Sequence, residues 1–259
     1  MIEVSWPQVS ARRLERAGLA APLTETAPAQ VVAAMCGAHA QVMSAGEASV
    51  ALRLDGATRA HVREALWRER SVVKTFGPRG TVHLLPAGDL PMWVSALSSA
   101  PSGYNTFPPG VRMTSEQTDQ VVEAIREVLA GVEMTIDELS DAVVAATGPW
   151  AGDLVMPAFQ VMWPRWRQAM ALAGHRGAVV FGPPRGRKVT YTAPPVAVPA
   201  PGPVADGLGG LIRTYLTAYG PATPDQFAQV ADLYAFDPVP PEVGPGVGQH
   251  QRPVAARPD

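Results

Sequence analysis

The stretch VVKTFGPRGTVHLL, residues 72–85, contains two β-rich runs on either side of the tetrapeptide Gly77-Pro-Arg-Gly80. Valine, threonine and phenylalanine favour strands, and glycine and proline favour a tight turn. A similar phrase, VVFGPPRGRKVTYT, occupies residues 179–192. The sequence therefore predicts two β-hairpins. Their expected strands cover 71–76 and 81–85 in the first hairpin, and 178–182 and 188–192 in the second.

Helical patterns precede each hairpin, with apolar residues at spacings of three and four. Before the first hairpin we predict helices over 11–20, 28–38, 44–54 and 58–70, and a further helix over 87–97 follows it. Before the second hairpin we predict helices over 115–130, 135–146 and 159–173, the last kinked or split at Pro164. Two of these helices begin with the pattern of a capping box, Ser44-Ala-Gly-Glu47 and Thr135-Ile-Asp-Glu138.

The order of helices and hairpin occurs twice, and a third copy begins. MTIDEL at 134–139 is similar to ATPDQF at 222–227, and each phrase opens a helix. Three helices followed by a hairpin is the arrangement of the winged helix-turn-helix. We therefore expect a mainly α fold with small β-hairpins (α+β), built from tandem winged helix-turn-helix domains whose C-terminal part is incomplete.

The predicted domain boundaries follow from this repeat and from the composition of the segments between its copies. Residues 237–259 hold six prolines and three glycines, so we expect a disordered tail there. The full set of predicted regions is a first winged-helix domain over 5–98, a linker over 99–113, a second domain over 114–193, a Pro-rich linker over 194–205, a partial third domain over 206–236, and the tail.

The formal net charge of −2 conceals an uneven distribution along the 259 residues. Residues 81–160 have a net charge of −8, whereas 161–193 carry six basic residues and no acidic one. Local positive potential, more than total charge, attracts phosphate. We therefore expect duplex DNA as the partner, contacted only by 1–80 and 161–193, with the acidic helices of 115–141 facing away from it.

Several classes of protein are disfavoured by the sequence. The single cysteine, Cys36, excludes an internal disulfide framework and a Cys-based zinc site, and we interpret it as a buried thiol. No apolar run is long enough to span a membrane, and no secretory signal opens the chain. We expect no cofactor, no metal and no membrane partner, and we expect a cytoplasmic, nucleoid-associated monomer.

Four phrases, taken in order, resemble the winged-helix DNA-binding proteins of the AlkZ/YcaQ type over roughly residues 5–230. These phrases are CGAHAQVMS at 36–44, RGTVHL at 79–84, VFGPPRGR at 180–187 and YGPATP at 219–224. The resemblance implies tandem winged helices around a cleft and a β-rich region after them. It also implies that the chain is related to DNA glycosylases that release bulky or cross-linked alkylated purines.

The catalytic signature of that family is Gln-x-Gln, or Gln-x-Asp in one branch, and it corresponds here to His39-Ala40-Gln41. The resemblance thus implies catalytic roles for His39 and Gln41, with His39 in place of the first glutamine. Loss of a cationic alkylated purine needs a group that positions water, and a carboxamide or a neutral imidazole can do this. Both side chains can line one site only if 38–43 is not helical. The alternative is that they hold a helix terminus through backbone hydrogen bonds.

Six cations are the candidate DNA contacts, and they lie in or near the two hairpins: Arg79, Arg165, Arg167, Arg185, Arg187 and Lys188. The alternative is that the hairpins serve only to pack domains together and these cations are solvated. Two readings of function remain open at this stage. The first is a glycosylase-like protein in which His39 and Gln41 position water. The second is a non-catalytic DNA-binding or scaffold protein, such as a transcriptional regulator or a truncated glycosylase relative.

Overall fold

The computed structural model describes residues 4–99, 107–158, 160–198 and 204–231, in which two similar units are followed by a helical pair. The first unit contains five helices and three strands. In chain order these are α1 (Trp6–Arg16), α2 (Pro28–Ala34), β1 (Ala38–His39), α3 (Met43–Ala51), α4 (Arg59–Trp67), β2 (Val72–Phe76), β3 (Val82–Pro86) and α5 (Leu90–Ser99).

The second unit repeats this order and contains an additional hairpin. Its elements are α6 (Ser115–Val128), β4 (Glu133–Thr135), α7 (Ile136–Thr147), β5 (Leu154–Ala158), β6 (Val161–Pro164), α8 (Met170–His175), β7 (Val180–Arg185) and β8 (Lys188–Thr192). The helical pair is α9 (Val204–Tyr219) and α10 (Pro224–Ala231). Short 3-10 turns cover 78–80, 87–89, 149–152 and 165–169.

Each unit has a three-stranded antiparallel sheet, and the two sheets share one topology. The strand orders are β1-β3-β2 and β4-β8-β7, so a short strand that precedes the helices pairs with the second strand of the hairpin. The sequence predicted both hairpins and neither short strand, β1 or β4. The mixed α+β fold with small antiparallel sheets is thus as expected in its coarse form.

Three apolar clusters form the interior. One belongs to the first unit and includes Val32, Val50 and Leu84, and a second belongs to the second unit and includes Ile125 and Trp166. The third cluster joins separate parts of the chain, because α5, β2, β3 and β7 bury side chains there against α9 and α10. Burial of this apolar surface fixes the helical pair against the first unit.

The predicted helix over 159–173 is wrong. Residues 161–164 form β6, which pairs with β5, and a 3-10 turn and the short α8 complete the segment. Pro164 ends the strand, where its missing N–H costs no ladder hydrogen bond. The spacing of Trp163 and Trp166 is helical, but only Trp166 is buried, and Trp163 lies on the exposed hairpin.

Of the two predicted capping boxes, one forms and one does not. Thr135 caps α7 as predicted, since its Oγ1 accepts from Glu138 N and Glu138 Oε2 accepts from Thr135 N at 2.7 Å. Ser44, however, lies inside α3, whose N-cap is Val42. Glu47 is instead a buried carboxylate that accepts hydrogen bonds from Arg59 and Arg63.

Some predictions lie outside the described residues. They concern residues 100–106 of the first linker, 199–203 of the second, the end of the partial third domain over 232–236, and the tail over 237–259. Among the residues that are described, no helix combines the length and the apolar character that crossing a bilayer requires.

Candidate active site

A cleft of about 460 Å³ lies between the first unit and the helical pair. Its polar wall carries two histidines, His39 and His83, and two arginines, Arg13 and Arg79. Its apolar wall is aromatic and consists of Trp93, Tyr215, Tyr219 and Phe227. Cationic and aromatic side chains facing one cavity suit a ligand that has both negative charge and flat rings.

His39 lies on this cleft because the chain is extended at that point. Residues 38–39 form β1 and α3 begins at Met43, so residues 38–42, which include His39 and Gln41, are not helical. The His39 side chain is exposed in the cleft, next to His83. Nothing in this geometry prevents the imidazole from reaching a bound molecule.

Gln41 is placed differently from His39. Its Oε1 accepts a hydrogen bond from Val82 N at 3.1 Å, so the side chain continues the contact between the segment after β1 and strand β3. This is the kind of backbone hydrogen bond that the structural alternative proposes. Gln41 is exposed but does not belong to the residues that line the cleft.

His83 was not among the candidate residues, and the structure places it beside His39. The two residues are direct cross-strand partners in the β1–β3 ladder, and their ring centroids are 5.3 Å apart in an edge-to-face arrangement. His83 Nδ1 lies 2.9 Å from the Thr81 carbonyl oxygen. The sequence could not identify this pair. The alternation of apolar and polar residues in β3 does not show which short segment elsewhere in the chain pairs with that strand.

The cleft favours the neutral imidazole of His83. Burial lowers the pKa of His83, and the charges of His39, Arg79 and His175 lower it further. The hydrogen bond to the Thr81 carbonyl raises the pKa, but it does not outweigh these effects. His175 on α8 also has a lowered pKa because of burial, and its Nε2 donates to the Gly77 carbonyl at 2.9 Å. The second unit therefore supports the turn that follows β2.

Cys36 is half-buried at the edge of the same cleft. Burial raises the pKa of its thiol to about 12, so the sulfur is protonated at neutral pH and is a poor nucleophile.

Two hydrogen bonds stabilise the wall of the cleft next to Cys36. The Tyr219 hydroxyl donates to the Met35 carbonyl at 2.8 Å. Arg13 donates to the Pro221 carbonyl at 3.1 Å, which links α1 to the loop after α9.

Arg79 lies at the tip of the first hairpin. Its φ of 60° places it in the left-handed region, which is uncommon for a residue with a side chain. The side chain is exposed and lines the cleft. Among the described residues no salt bridge involves Arg79. This cation is therefore available to a ligand.

Two of the three cations of the second hairpin, Arg185 and Lys188, have partners within the chain. Arg185 pairs with Glu138 at 2.8 Å and also donates to the Glu133 carbonyl. Lys188 pairs with Asp137 at 2.9 Å. Arg187 is exposed, and within the described ranges it forms no ion pair.

The acidic helices α6 and α7 contact the positive segment 161–193, while their facing away from bound DNA stays a prediction. Asp137 and Glu138 on α7 contact the second hairpin, and Asp119 on α6 pairs with Arg176. The physical reason is topological: β4 joins the hairpin at β8, and α7 begins directly after β4. The first turn of α7 is thereby fixed beside the hairpin tip.

Arg165 and Arg167 lie on the 3-10 turn after β6. Arg165 pairs with Asp153 at 3.2 Å and donates to the Val111 carbonyl at 2.7 Å. The Arg167 guanidinium stacks over the Trp163 ring, 3.7 Å from its centroid. Both cations thus have a structural contact, and the structure does not bring them into the cleft with Arg79.

The chain is similar to known DNA glycosylases. The sequence model of a family described as DNA glycosylase AlkZ-like matches residues 32–240. An interstrand DNA cross-link repair glycosylase of Streptomyces sahachiroi is 31% identical over 234 residues, which are 87% of this chain and 60% of that protein. The solved structure of the Streptomyces sahachiroi DNA glycosylase AlkZ superimposes with a TM-score of 0.75 at 30% identity, over 90% of this chain and 62% of that one. This chain therefore spans about three fifths of the length of these relatives.

Proposed function

This chain belongs to the AlkZ-like family of DNA glycosylases, and from that premise we propose that it binds duplex DNA and hydrolyses the N-glycosidic bond of alkylated purines. The relative from Streptomyces sahachiroi is named for repair of interstrand cross-links. We extend this substrate class to the present chain, so that an alkylated or cross-linked purine is the expected ligand of the cleft. The proposal includes His39 and Gln41 as the residues that position water.

The observation that carries the proposal is the position of His39. It replaces the first residue of the family signature and lies on a strand at the wall of a cleft that also holds Arg79 and several aromatic rings. An imidazole at this point can accept a proton from water near neutral pH. Gln41 would act through its amide N–H groups, which can donate while its Oε1 accepts from Val82 N.

The reaction needs little basicity from the protein. An alkylated purine carries positive charge and leaves as a neutral base, so the sugar passes through a state like an oxocarbenium ion. A water held on the sugar face completes the hydrolysis. A protonated imidazole would repel the developing cation, and a neutral one would not. A neutral His39 is therefore the active form in this proposal.

We propose tandem winged helices as the frame of DNA binding. The shared strand order of the two sheets supports this, since in each unit a hairpin follows the helices and extends to a basic tip. In such domains the hairpin contacts the DNA backbone. Arg79 and Arg187 have no salt bridge among the described residues and are the first candidates for phosphate contacts, followed by Arg185 and Lys188, whose exposed ion pairs can open.

The test is release of base from duplex DNA that contains N7-alkylated guanine, measured as the free alkylated base at a temperature where the uncatalysed loss is slow, together with duplex affinity. We expect release by the wild-type chain, and a loss of about 100-fold in His39→Ala with unchanged affinity. Gln41→Ala should also lower release. His61→Ala is the matched control, because His61 is exposed on α4 and, among the described residues, its side-chain hydrogen bonds go to Thr58 at the start of that helix.

One result would favour the non-catalytic alternative. If the wild-type chain bound duplex DNA tightly yet produced no abasic sites, the chain would be a DNA-binding relative without catalysis. Release that persisted in both His39→Ala and Gln41→Ala would retain the glycosylase function but exclude the assigned residues. The comparison with a cross-linked duplex, scored as separated strands, tests the substrate class by itself.

A further inference from the structure

The unassigned polar group nearest to His39 is the imidazole of His83. The two residues face each other across the β1–β3 ladder, so their side chains share one face of the sheet. Their ring centroids are 5.3 Å apart and the ring planes are 80° apart. Both rings line the same cleft, so a molecule held against one of them is also close to the other.

The hydrogen bond of His83 determines its tautomer. A carbonyl oxygen can only accept, so the contact of Nδ1 with the Thr81 carbonyl requires the proton on Nδ1. In the neutral ring Nε2 is then an acceptor with a lone pair. Within the described parts of the chain no residue hydrogen-bonds to this Nε2.

The ring orientation is fixed by close packing on the turn. A Cβ atom at position 77 would lie 2.7 Å from His83 Nδ1 and 2.8 Å from Cγ, so only glycine leaves room for the imidazole there. The Gly77 carbonyl is held in turn by His175 of the second unit. This arrangement presents one edge of the His83 ring in a defined direction, as a catalytic group requires.

The charges around the ring disfavour its protonation. Arg79 and Arg13 supply positive charge, and the described residues that line the cleft include no aspartate or glutamate. The titratable or charged groups near His83 come from every neighbouring element: His39 on β1, Arg79 on the turn, His175 on α8, Arg13 on α1, Cys36 after α2, and Tyr215 and Tyr219 on α9. A cleft without carboxylates has its imidazoles as the proton acceptors for water.

We propose that His83 is a second catalytic base of this cleft, and that its Nε2 holds the attacking water together with His39. This inference rests on the glycosylase function proposed above. The water oxygen forms a bond to C1′ of the sugar while the bond from C1′ to the base breaks, and the electron pair of that bond leaves with the cationic base, which becomes neutral. The proton of the water passes to an imidazole and then to solvent.

The experiment measures base release from N7-alkylated duplex between pH 5 and pH 8.5. The wild-type profile should contain an acid-side loss of rate at a pH below the ordinary histidine pKa of about 6.5, because burial and the nearby cations lower the pKa of His83. His83→Gln should lower the rate at pH 7 by about 100-fold and remove that acid-side loss, with duplex affinity unchanged. His83→Phe keeps the ring shape and should show the same loss.

The control is His61→Gln, which makes the same change on α4 and retains a residue suited to the third position of a helix. It should match the wild type in rate and pH profile. If His83→Gln and His83→Phe fold and release base with the wild-type rate and acid limb, His83 is structural and the inference is overturned. Absence of release from the wild-type chain would instead overturn the proposed function, and this inference with it.

Discussion

The two three-stranded sheets have the same strand order but different surroundings at their first strand. In the first unit, residues 40–42 separate β1 from α3, whereas in the second unit β4 ends at Thr135 and α7 begins at the next residue. In the second sheet Met134 lies opposite Tyr191, and both pack on the core of the unit. In the first sheet the cross-strand pair of His39 and His83 faces a cleft. The unit with the three additional residues after its first strand is thus the one that presents an accessible polar pair.

The helices after these strands differ in a related way. Thr135-Ile-Asp-Glu138 and Ser44-Ala-Gly-Glu47 have the same pattern of side chains, yet only the first forms a capping box. Glu138 is exposed at its hairpin, while Glu47 is buried between α3 and α4. Because α3 begins before Ser44, Glu47 is the fifth residue of its helix, whereas Glu138 is the third residue of α7. The same four-residue pattern therefore has a local role in one unit and a tertiary role in the other.

The largest expected effect on stability is at Glu47. Its carboxylate accepts from Arg63 at 2.6 Å and from Arg59 at 2.7 Å, with almost no exposed surface. Breaking a buried pair costs about 3 kcal/mol or more, and the arginines here can turn to solvent, so we expect Glu47→Gln to lower the free energy of unfolding by about 2–3 kcal/mol. Chemical denaturation measures this. Glu138→Gln is the counterpart and should cost clearly less, and an equal loss in both would contradict the comparison.

The same pair gives a pH dependence with a definite sign. Burial alone would raise the pKa of Glu47, but the hydrogen bonds and charges of Arg63 and Arg59 outweigh it and lower the pKa. The pair therefore contributes its full stability above the unfolded pKa of about 4.3, and this contribution is lost as the pH falls through the lower folded value. The unfolding free energy of Glu47→Gln should depend less on pH in that acid range than that of the wild type.

The sequence predicted what depends on neighbouring residues. Gly77–Gly80 and Pro183–Gly186 gave the two hairpins, and Thr135 and Thr223 cap α7 and α10 as the repeated phrase indicates. Residues 38–42 of the 38–43 segment are not helical, although Ser44 is not the cap that ends this stretch. The hairpins and the two caps follow from turn and capping residues, whose preferences are local.

What the sequence could not predict depends on distant partners. The spacing of Trp163 and Trp166 fits a helix as well as a strand end, and only the pairing of β5 with β6 decides between them. The burial of Glu47 requires Arg59 and Arg63 of the next helix. His83 becomes a candidate only when β1 is known to lie beside it.

Gly77 and Gly182 lie at similar positions in the two hairpins, and each packs closely against a side chain of the opposite strand. A Cβ at Gly77 would lie 2.7 Å from His83 Nδ1, and a Cβ at Gly182 would lie 2.6 Å from Thr190 Oγ1. Both alanine variants crowd a well-packed contact, so each should lower the free energy of unfolding by about 1–3 kcal/mol. Only Gly77→Ala displaces the cleft imidazole, so only this variant should lower base release beyond the effect on stability. Equal release by the two folded variants would show that the ring position at 83 is unimportant.

The smallest effects concern the two hairpin tips and duplex affinity. Arg79 has no salt bridge among the described residues, whereas Lys188 pairs with Asp137. Each phosphate contact adds about one unit to the slope of affinity against salt on logarithmic axes. Arg79→Ala should lower this slope by about one, and Lys188→Ala should lower it by less, because the ammonium is already partly neutralised. Asp137→Asn removes that neutralisation without changing the lysine, so it should raise duplex affinity and steepen its salt dependence.

A salt titration of the three variants on an undamaged duplex measures these affinities and slopes apart from catalysis. An equal loss of slope in Arg79→Ala and Lys188→Ala, with no gain in Asp137→Asn, would mean that the ion pair opens freely on DNA and that the two tips bind phosphate alike.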